Sequence, residues 1–355
     1  MRPLLIFAGG GTGGHIFPAL AAARCLDVPV LFVGSSFGME RTLVPAAGFP
    51  FLGVPVKGFI GVSLGKKIAR LPMLGWALLR TLGLFLTRRP RAVLGFGGYA
   101  SLPVLLWARL FHVPFFLQEQ NAIPGTVTRL FAPKAQAVFA GFPDLKLKGR
   151  IVVTGNPVRE EIRAVPPLDR VGLPLKVFIL GGSQGSAFLN RLFMEASPSL
   201  KALPIIWVHQ TGPAEHERIR AAWMEAGVEA VVEPFIERVW ETYAWAHLLI
   251  CRAGAMTVAE SAASGRPALF IPFAGAANDH QMRNAEWLVR EQAGLMAREA
   301  DAGPETLLAA LRAILADPSS LARMSRRLKA LDHPEGLDLL RRTLGPVLGD
   351  IHAIP

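Results

Sequence analysis

Short apolar runs recur along the chain, and each is followed by a longer stretch whose apolar positions fall at helical spacing. In the first half the runs predict strands near residues 4–8, 28–33, 51–56, 92–95, 115–118, 137–140 and 151–153. A second series is expected near 176–180, 205–209, 230–232, 248–251 and 268–271. Strands that alternate with helices need crossover connections, so the pattern predicts an α/β chain with parallel sheets. Between the two series lie Gly155-Asn156-Pro157 and the charged, proline-rich stretch from Arg159 to Leu175, read as a linker. The expected domains are 1–157 and 158–334, and the helical tail from Pro304 is expected to pack back across the junction, with the helix 335–355 on the first domain.

Each half opens with strand, glycine loop and helix. The first is Leu4 to Ala8 followed by Gly9-Gly10-Gly11-Thr12-Gly13-Gly14-His15; the second is Lys176 to Leu180 followed by Gly181-Gly182-Ser183-Gln184-Gly185-Ser186. Glycine leaves no Cβ between backbone amides and a ligand, so such loops can wrap a phosphate or sugar at a helix N-terminus. A third cluster, Gly95-Phe96-Gly97-Gly98-Tyr99, also follows a strand. Open α/β sheets bind ligands beyond the carboxyl ends of their strands, so two nucleotide-fold domains facing across a cleft are expected, with all three loops lining it. Gly9, Gly11 and Gly14 also match the dinucleotide fingerprint, but that fingerprint wants a ribose-binding acid at the end of the second strand. Here the strand ends in Gly34-Ser35-Ser36, and no carboxylate comes before Glu40.

Composition narrows the class. At about 150 residues per domain, 355 residues make two domains, and 51% apolar residues exclude disorder. Cys25 and Cys251 fall in separate halves, which excludes a disulfide framework and points to a reducing compartment. The N-terminal apolar segment is only a strand long, so no signal peptide is expected. The formal charge of +11 is unevenly spread: between Arg41 and Gln118 there is no acidic residue. That window holds two apolar blocks, 71–86 and 102–117, each shorter than the roughly 20 residues that span a bilayer. Residues 102–117 read as a core helix and a buried strand. Residues 59–86 read as an interfacial membrane contact, with Pro72 breaking the helical pattern and Trp76, Phe85, Lys66-Lys67 and Arg88-Arg89 as anchors. With neither a helix-turn-helix nor a zinc pattern, no nucleic-acid partner is expected.

Cys251 to Glu260 reads as a strand end turning into a helix. Amides of Ala255, Met256 and Thr257 at that N-terminus could bind a diphosphate. Glu260, one turn beyond Thr257, could accept hydrogen bonds from a ribose diol or could simply oppose the helix dipole. The chain has no Asp-x-Asp pair, so no metal is expected, and no Walker Gly-Lys-Ser/Thr, which argues against an ATPase. His15, at the mouth of a glycine loop, could serve as general base or hydrogen-bond a ligand.

Six segments then occur in order: Gly10 to Pro18, Gly95 to Tyr99, Glu119-Gln120-Asn121, Gly155 to Arg159, Gly181 to Gly185 and Thr257 to Glu260. Together they resemble the MurG family, which adds N-acetylglucosamine (GlcNAc) to undecaprenyl-diphospho-MurNAc-pentapeptide in bacterial wall synthesis. The resemblance covers essentially the whole chain. It implies a GT-B fold of two Rossmann-like domains, the N-terminal one for a lipid-linked acceptor and the C-terminal one for UDP-GlcNAc, with no cofactor. It places Thr12, Gly13 and Gly14 near the donor sugar and diphosphate, and Asn121 and Gln281 on the GlcNAc. Arg159, Ser183 and the Ile236 backbone would serve phosphate and uracil, and Ala255, Met256, Thr257, Val258, Ala259 and Glu260 the diphosphate and ribose. The expected reaction is inverting, with His15 as first candidate for base and Glu119 as second. An anionic membrane surface on the cytoplasmic face and other cell-wall synthesis proteins are the further partners implied. The family usually has His-Glu-Gln-Asn where this chain has Gln118-Glu119-Gln120-Asn121, and Arg-Ser-Gly where it has Arg252-Ala253-Gly254. A UDP-GlcNAc 2-epimerase-like enzyme and a non-enzymatic lipid-binding protein are the alternatives.

Overall fold

A computed structural model describes residues 4–11, 13–58, 63–182 and 184–349. The chain forms two compact units, one running through Pro157 and resumed from Glu335, the other Val158–Pro334. The first unit contains β1 (Leu5–Ala8), β2 (Val30–Ser35), β3 (Phe51–Val54), β4 (Ala92–Gly95), β5 (Phe115–Glu119), β6 (Val138–Ala140) and β7 (Ile151–Val153). They lie in the order β3-β2-β1-β4-β5-β6-β7, every pairing parallel. The second unit contains β8 (Leu175–Leu180), β9 (Ile205–Gln210), β10 (Ala230–Glu233), β11 (Leu248–Cys251), β12 (Ala268–Phe270) and β13 (Leu295–Met296). Their order, β10-β9-β8-β11-β12-β13, repeats the same doubly wound parallel scheme. In both sheets the order reverses beside the first strand. The two switch points therefore lie between β1 and β4 and between β8 and β11, where crossovers leave on opposite faces and open a crevice at the strands' carboxyl ends.

The strands read as unbroken apolar runs because both faces of each sheet are covered. Along β1, Ile6 and Ala8 enter one core with the helices Leu71–Arg88 and Ser101–Leu110, while Leu5 and Phe7 enter another with the helix Gly13–Arg24. The latter core also takes Leu340, Leu344 and Leu348 from the helix Gly336–Leu348, a stripe at four-residue spacing. At the edge, β10 alternates half-buried and exposed positions, as a strand open on one side should.

Where the observed elements depart from the periodicity, proline is a recurring cause. β2 starts at Val30 rather than Val28, because Pro29 has no N–H and only its carbonyl joins the ladder, accepting from Leu5 N at 3.0 Å. β3 stops at Val54, just before Pro55. The two-residue β13 has too little apolar run to be foreseen. The stretch from Arg159 is not a free linker: Val158, Ile162, Val165 and Leu168 are buried at spacings of three and four. Pro72 starts rather than breaks a helix, since Leu71–Arg88 runs unbroken with Pro72 in its first turn, where no amide is needed. Ala77, Thr81, Leu84 and Phe85 bury one face of that helix, and Leu71, Trp76, Leu79 and Leu86 are exposed. Residues 59–62 and the side chains of Lys66 and Lys67 lie outside the described residues. Among the described residues no helix is long and apolar enough to cross a membrane.

Candidate active site

In the first unit the loops after β1 and β4 flank the switch point. Gly10 takes φ +152°, and a Cβ there would lie 2.0 Å from Glu40 Oε1. Only glycine leaves room for that carboxylate, which is 2% exposed and binds the loop from within. Glu40 Oε1 accepts from Ser35 N at 2.8 Å and from Gly11 N at 3.1 Å, and Oε2 lies 3.2 Å from Gly11 N. The Gly11 amide is thus already given to an anion, so a phosphate in this unit must look to the helix N-terminus at Gly13 and Gly14. Thr12 lies outside the described residues.

His15 stands in the first turn of that helix, and its Nδ1 is 2.9 Å from Gln120 Oε1. Gly97 (φ +83°) makes room for the ring: a Cβ there would lie 3.3 Å from His15 Cε1. Glu119, at the end of β5, is 3% exposed, and each carboxylate oxygen accepts a backbone amide, Asn121 N at 3.2 Å and Gly125 N at 3.0 Å. That arrangement shapes the loop carrying Gln120 and Asn121 and leaves Glu119 poorly placed as a base. Gln118 is fully buried, and neither atom of its side-chain amide is hydrogen-bonded.

In the second unit, the helix Ala255–Ser264 follows β11, and its N-cap Gly254 offers no side chain. Val258 N donates to Gly254 O at 3.0 Å, so Ala255, Met256 and Thr257 supply the orphan amides of the first turn. Roughly half a positive charge collects there, with nothing intrahelical to neutralise it. The Val258 amide is used by the helix, and its side chain is fully buried. Glu260 projects from the next turn, with Oε1 at 3.4 Å from Arg159 Nη2 and Oε2 accepting from Tyr243 Oη at 3.1 Å. Burial pushes its carboxyl above the usual range, while Arg159 and Tyr243 pull it back. A carboxylate has about four lone-pair sites, so these two partners leave acceptor capacity for a diol.

Arg252, at the end of β11, braces the neighbouring loops. Its Nε donates to Ser186 Oγ at 2.9 Å, and its Nη1 donates to Ile271 O at 3.1 Å and pairs with Glu299 Oε2 at 2.7 Å. Phe188 and Phe273 lie at 5.0 and 5.6 Å from the guanidinium. Ser186 in turn caps the helix Ala187–Leu200, so one side chain ties together the loops after β8, β11 and β12. Ala253, where the family usually has serine, is fully buried. The expected contacts at Ile236 and Gln281 are engaged within the protein: Ile236 N donates to Gln210 Oε1 at 3.1 Å, and Gln281 Oε1 accepts from Phe273 N at 3.0 Å. Ser183 lies outside the described residues.

The structure thus brings His15 to the Gln120 loop in one unit, and Arg159 to Glu260 at a helix N-terminus in the other. Sequence reasoning missed Glu40, Gln120, Tyr243 and Arg252 as working parts. Glu40 was visible as the first carboxylate after the second strand, and Arg252 as the charged residue ending an apolar one. For Tyr243 no local signal exists.

Residues 5–140 match the glycosyltransferase family 28 N-terminal domain and residues 176–340 the family 28 C-terminal domain. A protein of Xanthomonas euvesicatoria named UDP-N-acetylglucosamine–N-acetylmuramyl-(pentapeptide) pyrophosphoryl-undecaprenol N-acetylglucosamine transferase is 41% identical over 95% of this chain and 79% of its own length. One of the same name from Syntrophotalea carbinolica is 39% identical over 97% of this chain and 99% of its own. The chain belongs to this transferase family. A crystal structure of Acinetobacter baumannii MurG superposes on this MurG-family chain with a TM-score of 0.77 at 30% identity, covering 96% of this chain and 98% of that one. The fold is accordingly GT-B, and the chain is a glycosyltransferase.

Proposed function

We propose that this glycosyltransferase moves GlcNAc from UDP-GlcNAc to the MurNAc 4-hydroxyl of undecaprenyl-diphospho-MurNAc-pentapeptide, converting lipid I to lipid II with inversion. The observation that carries this is 39–41% identity, over nearly the whole of this chain, to relatives named for that transfer. Site geometry supports it. The second unit takes the donor, with its diphosphate on the amides of Ala255, Met256 and Thr257 beside Arg159 and Ser183, its ribose on Glu260 and its uracil on the Ile236 backbone. Ala259 lines the same turn. The family resemblance assigns Asn121 and Gln281 to the GlcNAc, Gln281 after releasing the Phe273 amide, and Thr12, Gly13 and Gly14 to the sugar diphosphate.

In this mechanism the acceptor oxygen attacks the anomeric carbon as the bond to the diphosphate oxygen breaks, through an oxocarbenium-like state. His15 Nε2 takes the hydroxyl proton, and UDP leaves with the bonding pair, its growing charge met by preorganised amides and Arg159. An α-linked donor gives the β-1,4 product. The first unit holds the acceptor and lies peripherally on the cytoplasmic face of the membrane, near other cell-wall synthesis proteins. Supporting this placement are the exposed Leu71, Trp76, Leu79 and Leu86 beside Arg80, Arg88 and Arg89. Each basic residue near an anionic leaflet adds about 1 kcal/mol.

The test is transfer of labelled GlcNAc from UDP-GlcNAc to a lipid-linked MurNAc acceptor. A disaccharide-lipid product is expected, and transfer only to some other acceptor would remove the acceptor assignment. Formation of a 2-epimer without acceptor would favour the epimerase reading instead.

A further inference from the structure

Gln120 is 1% exposed, and its side-chain amide has two polar neighbours that fix its orientation. Its Nε2 donates to the Gln118 carbonyl at 3.2 Å, and a carbonyl can only accept, so the amide NH2 must face that way. The opposite atom, Oε1, then faces His15 Nδ1 at 2.9 Å. An amide oxygen also only accepts, so Nδ1 must carry the proton and the lone pair of the neutral ring must be on Nε2.

The backbone around Gln120 is held as firmly as its side chain. Its carbonyl accepts from Asn156 Nδ2 at 2.9 Å, and Asn156 is itself 5% exposed. The flanking Glu119 carboxylate takes the amides of Asn121 and Gly125, and Gly141 N donates to Glu119 O at 2.9 Å. A residue held on every side and presenting one acceptor to an imidazole is built to choose that ring's tautomer.

We propose that Gln120 is the positioning residue of the transfer reaction, holding His15 as the Nδ1–H tautomer so that Nε2 meets the acceptor hydroxyl. When Nε2 takes the proton, the Nδ1–H to Oε1 hydrogen bond becomes charge-assisted. Gln120 touches no reacting atom and acts only through the ring. The proposal rests on the reading of His15 as base, and its test separates the two.

The full chain, labelled with 15N at histidine, is followed by long-range proton–nitrogen correlation, with the His15 signals identified by their loss in His15→Gln. The wild type should show Nδ1 protonated and Nε2 bare. In Gln120→Leu that preference should be lost, and kcat for GlcNAc transfer should fall about 10-fold or more while the UDP-GlcNAc KM stays within about two-fold. Gln120→Glu, which keeps an acceptor oxygen opposite Nδ1, should retain the Nδ1–H tautomer, and Gln120→Met, close in volume but without that oxygen, should lose it and decides the matter if the leucine variant does not fold. A wild type protonated at Nε2, or a tautomer indifferent to Gln120→Leu, overturns the proposal. Full transfer activity in His15→Gln would instead overturn His15 as base, whatever the tautomer shows.

Discussion

A buried carboxylate accounts for the first glycine loop. Glu40 stood in the sequence only as an acid arriving too late to bind a dinucleotide ribose, yet it takes the Gly11 and Ser35 amides and occupies the space a Gly10 side chain would need. Glu40→Ala should leave those two donors unpaired, at about 1–3 kcal/mol each. We expect the urea midpoint of unfolding to drop accordingly, with Glu40→Gln, which keeps one acceptor oxygen, losing less. An unchanged midpoint in the alanine variant would mean the loop is held by its glycines alone. The same residue explains why the dinucleotide fingerprint misleads: the amide that would meet a pyrophosphate is already engaged by an anion.

Strand β9 and the helices beside it enclose an imidazole whose protons can all be assigned. Trp223 Nε1 can only donate and lies 3.2 Å from His209 Nδ1, so Nδ1 accepts and Nε2 donates to Asn190 Oδ1 at 3.1 Å. Complete burial pushes the His209 pKa from 6.5 down to about 3. Below about 6.5 the unfolded chain binds a proton the folded one refuses, so this contribution is full above that pH and is lost as pH falls toward 3. Urea titrations from about pH 7 down to about pH 4 should show stability falling steadily. His209→Phe should be less stable at neutral pH by about 2–4 kcal/mol but should show a flatter acid slope. An equal slope in both would assign the acid sensitivity to other groups. At this scale periodicity located most strands, and several displaced ends lie at prolines: the donor missing at Pro29 and Pro55 is a backbone effect that an apolar run does not register.

For the molecule as a whole, two units of one topology are expected to carry separable duties. Hydrogen exchange with saturating UDP should slow amides in residues 181–186, 234–236 and 252–260 of the second unit and raise its melting temperature, since about 100-fold excess over Kd is worth about 2.7 kcal/mol. Protection confined to the first unit would reverse the donor assignment. Vesicles containing anionic lipid should instead protect the helix Leu71–Arg88, and the pair Trp76→Glu with Leu79→Glu should abolish sedimentation with them while leaving the melting temperature near wild type, because both side chains are exposed. Sedimentation unaffected by the pair would remove this helix as a membrane contact. The sequence by itself determined the fold class, the glycine loops and the family, because burial on both sheet faces imposes a local rhythm and a backbone turn imposes glycine where it occurs. Only the tertiary structure decided which side chains work together. His15 meets Gln120 across 105 residues in one unit and Arg159 meets Glu260 across 101 in the other, and such pairs exist only once each unit has folded and brought distant segments together.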